Sequence, residues 1–142
     1  MKLRRHSIGV ACVLLGWGLL SCTTSPEPVV LSCTDPSISN VGGVLISVGS
    51  GTAPRFSWSP VCKAYSLVVT NDTGAMMWGV LADSGNALAP PVDYGVVPAG
   101  AYTQIQAAVT LQAGKQYAVG VYSHYITTPT PSDVLGAVFF RP

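Results

Sequence analysis

What limits this chain most is the spacing of its apolar residues. They alternate with a period of two, in short runs cut apart by Gly, Pro, Asn and Asp. Period two sends successive side chains to opposite faces of a strand, whereas a helix needs apolar positions three and four apart. The clearest run is residues 104–111, with Ile105, Ala107, Val109 and Leu111 expected inward and Gln104, Gln106, Ala108 and Thr110 outward. Residues 55–59 put Phe56 and Trp58 on one face. Residues 64–70 set Tyr65, Leu67 and Val69 against Ser66, Val68 and Thr70. Residues 44–48, 75–81, 116–123 and 136–141 supply further strands. Asn71-Asp72-Thr73-Gly74 reads as a hairpin turn and Ala113-Gly114 as another. With 15 Gly and 11 Pro in 142 residues, a helical bundle is excluded. Seven or so short strands with turns between them imply an all-β fold, an antiparallel seven-stranded β-sandwich.

Charge excludes one class of partner. The formal net charge is +1 and only 9% of residues are charged, so there is no basic surface to neutralise phosphates and no nucleic-acid partner is expected.

The N-terminus has its own logic. Lys2, Arg4 and Arg5 precede a short apolar stretch from Ile8 to Leu20. That order and length describe an export signal, too short for a membrane span. The stretch ends Leu19-Leu20-Ser21-Cys22, which resembles the bacterial lipobox cut by signal peptidase II. The resemblance implies that Cys22 takes a diacylglycerol on its sulfur and becomes the first residue of the mature chain. Two or three acyl chains give stable anchoring, at about 0.8 kcal/mol per buried CH₂. It also implies a lipid-anchored protein of the bacterial cell envelope. Thr23 stands where, in enterobacterial members, Asp would retain the protein at the inner membrane, so the outer membrane is expected. Removing residues 1–21 discards Lys2, Arg4 and Arg5 and leaves acidic residues in slight excess. Such a chain has no charge attraction to anionic lipid, so the acyl chains must do the anchoring.

Cysteine usage follows from this compartment. Cys12 leaves with the signal and Cys22 is lipidated, so Cys33 and Cys62 remain as an even pair in an oxidising compartment. A Cys33–Cys62 disulfide is expected. Metal is not, because two cysteines and His124 fall one ligand short of a structural zinc site. Residues 22–35 read as the lipidated N-terminus and a tether held extended by Pro26 and Pro28. Residues 36–142 read as the domain.

Within that domain three segments resemble the fibronectin type III and immunoglobulin-like sandwiches. Pro54-Arg55-Phe56-Ser57-Trp58-Ser59-Pro60 is similar to the family's second strand with its core Trp. Ala64-Tyr65-Ser66-Leu67-Val68-Val69 is similar to the third. Leu111-Gln112-Ala113-Gly114-Lys115-Gln116-Tyr117 is similar to the L-x-x-G-x-x-Y corner, whose Tyr hydroxyl ties the sixth strand to the preceding turn. Residues 82–101 are long and loop-like for this family, and they and the 123–133 segment are the expected recognition loops.

Catalysis finds little material. The six acids form no close pair, as a glycosidase would need. No GxSxG accompanies His124, so no Ser–His–Asp triad is expected. Asn71-Asp72-Thr73 and Asp83-Ser84-Gly85-Asn86 offer oxygen ligands for calcium but are ordinary turn sequences. No catalytic residue, metal or cofactor is therefore assigned. The expected role is a binding or adhesion module for another envelope protein. The alternative is a carbohydrate- or peptidoglycan-binding module. In either role Trp78, Tyr94 and Tyr125 are the candidate contacts, since exposed aromatics stack on sugars and anchor interfaces.

Overall fold

The computed structural model describes residues 29–39, 43–100, 102–124 and 133–142. The expected export signal, Cys22, Tyr125 and most of the 123–133 segment lie outside these residues. Among the described residues, eight strands form two antiparallel sheets. Strands β1 (Leu45–Val48), β2 (Arg55–Ser59) and β5 (Val92–Asp93) make one sheet, in the order β1-β2-β5. Strands β3 (Ser66–Asn71), β4 (Met76–Ala82), β6 (Tyr102–Gln106), β7 (Tyr117–Tyr122) and β8 (Val134–Phe140) make the other, in the order β6-β4-β3-β7-β8. The result is a sandwich-like all-β fold.

Alternation builds the core as expected. Phe56 and Trp58 from β2 and Val92 from β5 meet Leu67, Val69, Trp78, Val80, Val119 and Val121 of the larger sheet. The Phe56 and Phe140 rings meet edge-on across the sandwich at 5.8 Å. Trp58 buries its indole and satisfies its N–H by donating to the Cys62 carbonyl at 2.9 Å. The expected hairpin between β3 and β4 is present. Asn71 Oδ1 accepts from the Thr73 N–H, the Thr73 hydroxyl and the Ala75 N–H. Gly74 follows with φ of 81°, which an L side chain rarely adopts.

Two corners fasten the sheets. The Gln112 N–H donates to the Tyr117 hydroxyl at 2.9 Å, tying the start of β7 to the turn before it. At the other end Cys33 and Cys62 form the expected disulfide, with Cα atoms 4.9 Å apart and both residues buried. Backbone bonds reinforce it: the Lys63 N–H donates to the Leu31 carbonyl and the Cys33 N–H to the Lys63 carbonyl, both at 2.8 Å.

Four expectations need correction. First, residues 31–35 were assigned to the tether from its prolines. The disulfide and its flanking bonds hold Leu31 to Cys33 on the domain. Second, the all-β expectation passes over a one-turn helix, α1 (Pro36–Ser39), with Asp35 Oδ1 accepting from the Ser37 N–H and hydroxyl. Third, the run 104–111 is not one strand. The ladder stops at Gln106, Ala107 and Val109 are exposed, and Leu111 alone is fully buried. The Val109 carbonyl accepts from the Tyr94 hydroxyl at 2.6 Å, while the Val109 N–H still donates to the Met77 carbonyl of β4 at 2.9 Å. Fourth, residues 82–101 are not a free loop. Ala64 and Leu88 exchange two backbone bonds of 2.8 Å, and Leu88, Val92 and Tyr94 are buried. This segment leaves the larger sheet, pairs with β2 as β5, and returns as β6.

Candidate functional site

The two sheets differ on their outer faces. On the smaller sheet Arg55 and Asp93 sit opposite each other and join as a bidentate pair, Nε to Oδ1 at 2.6 Å and Nη2 to Oδ2 at 2.9 Å. Hydrogen bonding to Arg55 holds the Asp93 carboxyl below the usual aspartate range. Ser47, Ser57 and Ser59 share this face, and an exposed Leu45 opposite Ser59 ends it toward the disulfide.

The outer face of the larger sheet is different. None of its five strands carries Asp, Glu, Lys or Arg. Since Leu67, Val69, Trp78 and Val119 point inward, their neighbours Val68, Thr70, Gly79, Ala118 and Gly120 point out. Two glycines flatten the middle of this face. A Cβ on Gly120 would run into the Tyr122 ring, so that ring lies over Gly120. At Gly79 the Ile105 side chain and the Met76 sulfur occupy the space a Cβ would approach. Phe139, opposite Ala118 on the edge strand β8, is 73% exposed. The face carries no charge among the described strand residues: Val68, Ala118, Tyr122 and Ile105 are half-buried on it, Thr70 is polar, and Phe139 is exposed at its edge. Burial lifts the Tyr122 hydroxyl above the ordinary tyrosine range, so it stays neutral and can donate a hydrogen bond.

An open cleft of about 270 Å³ lies at the end of the sandwich away from the disulfide. Asn71, Asp72, Gln112, Lys115, Gln116 and Tyr117 line it. It holds no histidine or cysteine and a single carboxylate, so it offers no acid–base pair.

Ser123, His124 and Asp133 come together, but not as a catalytic triad. Ser123 Oγ lies 3.0 Å and Asp133 Oδ1 3.5 Å from the same ring nitrogen, His124 Nδ1. A triad needs the nucleophile and the acid on opposite nitrogens. The Ser123 N–H also donates to the Asp133 carbonyl, so this cluster closes the base of the segment between β7 and β8. No group of three or more His, Cys, Asp or Glu that could hold a metal is found among the described residues. No helix among them is long and apolar enough to cross a membrane.

The aromatic candidates fall elsewhere. Trp78 is wholly buried and Tyr94 is 7% exposed. Their rings meet edge-on at 5.4 Å inside the sandwich. Neither presents a face to a sugar or a partner, which corrects their assignment as surface contacts. Tyr125 lies outside the described residues. Period-two alternation marks strands with one apolar face and is silent on a strand with two. The signal of the outer face lies in the unbroken apolar runs Val68-Val69 and Val119-Gly120-Val121-Tyr122, which mark strands with two apolar faces. The chain matches no protein-family model, no curated protein and no solved structure.

Proposed function

We propose that the protein is a non-catalytic lipoprotein of the bacterial cell envelope, anchored through Cys22, whose fibronectin type III-like sandwich binds another envelope protein. The observation that carries the binding role is the uncharged outer face of the larger sheet. Contiguous exposed apolar surface on a small domain marks an interaction site. This one combines an exposed Phe139, a flat tyrosine over Gly120 and branched aliphatics, the composition of an interface centre. Support for the family reading comes from Trp58 in the core on β2 and from the Tyr117 hydroxyl bonded to Gln112 ahead of β7. The strand order departs from that family in β6, which returns to the larger sheet after β5 has joined the smaller one. Support for the anchoring is the lipobox-like Leu19-Leu20-Ser21-Cys22 behind a basic, then apolar, leader.

The test is photo-crosslinking in cells from the full-length protein, with the photoreactive side chain at Ala118 and, as control, at Ser57 on the polar sheet. One dominant protein adduct from position 118 and none from 57 is the expected outcome. Adducts to glycan fragments would favour the cell-wall-binding alternative, whose candidates Trp78 and Tyr94 the core has taken. Equal yields from both faces would end the assignment of this surface.

A further inference from the structure

We infer that the disulfide end of the sandwich rests directly on the lipid surface, with Leu31, Leu45 and Val61 as its contact. This deepens the anchored reading and rests on lipidation of Cys22.

Leu31 is hydrogen-bonded to Lys63, Ser32 pairs with Lys63, and Cys33 is covalently bound to Cys62. Asn86 Nδ2 adds bonds to the Ser32 and Thr34 hydroxyls. The exit of the tether is therefore rigid. From Cys22 to Leu31 a fully extended chain spans at most about 32 Å. That is about the diameter of a domain of this size, so the exit is always within reach of the bilayer. Anchoring makes the encounter of this end with lipid intramolecular, and even a weak apolar affinity is then realised.

Chemistry at the exit suits lipid. Val29 is 86% exposed, Leu45 79% and Val61 60%, and Leu31 is exposed beside them. Leu45 lies opposite Ser59 at the end of β2, two residues before Val61, and Leu31 lies beside Lys63. These aliphatics have no partner element among the described residues, yet they crowd the one end that the tether holds near the membrane. Lys63 at their edge can keep its ammonium at the headgroup level while its stem lies along apolar surface. The acids of this end are engaged: Asp35 accepts from Ser37, Asp83 accepts from the Thr103 hydroxyl at 2.6 Å, and Asp133, just before β8, lies 3.5 Å from His124 Nδ1. They disfavour an anionic surface, so the fitting partner is a zwitterionic headgroup layer. Shallow aliphatic insertion of this kind depends on buried apolar area more than on charge.

The experiment uses the full-length lipidated protein in zwitterionic phospholipid vesicles, with and without brominated acyl chains. Val61→Trp reports on the disulfide end and Val109→Trp on the opposite end; Trp58 and Trp78 are buried and give both the same background. Quenching by brominated chains is expected to be several-fold stronger at position 61 than at 109, with blue-shifted emission. Amide hydrogen exchange on the unaltered protein gives a second reading: residues 29–33 and 61–63 should exchange more slowly in vesicles than in detergent. Protein that floats with vesicles but shows equal or no quenching, and no added protection, overturns the contact and leaves anchoring intact. Protein that does not float removes anchoring and contact together. A blue shift in native membranes that is absent from protein-free vesicles would place a protein on this end and overturn the lipid assignment.

Discussion

Tyr94 holds three pieces of chain with one side chain. Its ring meets Trp78 on β4, its hydroxyl donates to the Val109 carbonyl, and the Met77 carbonyl lies 3.2 Å away. Tyr94→Phe keeps the ring and strands a part-buried carbonyl, so it should lower stability by about 1–3 kcal/mol in urea denaturation. The pH dependence has a definite sign. Burial, more than any other cause, raises the Tyr94 hydroxyl above its ordinary value, and burial does the same for Tyr122. A raised folded-state pKa means the fold favours the neutral phenol. The stabilisation is whole below the ordinary tyrosine pKa and is lost as pH rises through the raised value. The thermal midpoint should therefore fall in alkaline solution, and fall less steeply in Tyr94→Phe. Gly136 tells a second residue-scale story. A Cβ there would collide with the Val44 carbonyl oxygen, which is backbone and cannot rotate away. Gly136→Ala should cost about 1–3 kcal/mol by overpacking, read as a lowered denaturation midpoint.

Among the elements, the disulfide cross-links the N-terminal segment to the sandwich. Replacing Cys33 and Cys62 together with Ala should cost roughly 3 kcal/mol in the chain-entropy account, with the smaller sheet losing amide protection first. This bond was legible from cysteine counting once the compartment was read. The strands were legible where local alternation decides: β2 occupies the expected residues 55–59, and the turn at residues 71–74 is where its Asn and Gly put it. They were illegible where a distant side chain decides. Residues 107–111 alternate as well as any strand, yet the ladder ends at Gln106; beyond it Val109 keeps one backbone bond to Met77 and gives its carbonyl to the Tyr94 hydroxyl. Residues 82–101 look like loop because Pro and Gly dominate them, yet Leu88 and Val92 are pulled into a core that no short window displays. The apolar outer face was half legible. Its residues are apolar in sequence, but that they share one face depends on register across five strands.

For the molecule as a whole, the two sheets divide the labour. The smaller one turns a serine-rich, ion-paired surface to solvent, and the larger one turns out an uncharged surface. Phe139→Asp on that surface should abolish crosslinking from position 118 while leaving the thermal midpoint nearly unchanged, because Phe139 is exposed. A matching loss of midpoint would mean that the residue serves the fold. The position of the disulfide has a mechanical consequence. A pull on the residues before Cys33 does not run down the chain into β1. It crosses the sulfur–sulfur bond to Cys62 and enters the sandwich through residues 63–65, at the start of β3, the middle strand of the larger sheet. The loop of residues 34–61, which holds β1 and β2, carries none of the tension. Such a load meets the sheet at a strand paired on both sides and cannot peel the domain open from its first one; reducing the bond would redirect the same pull onto β1.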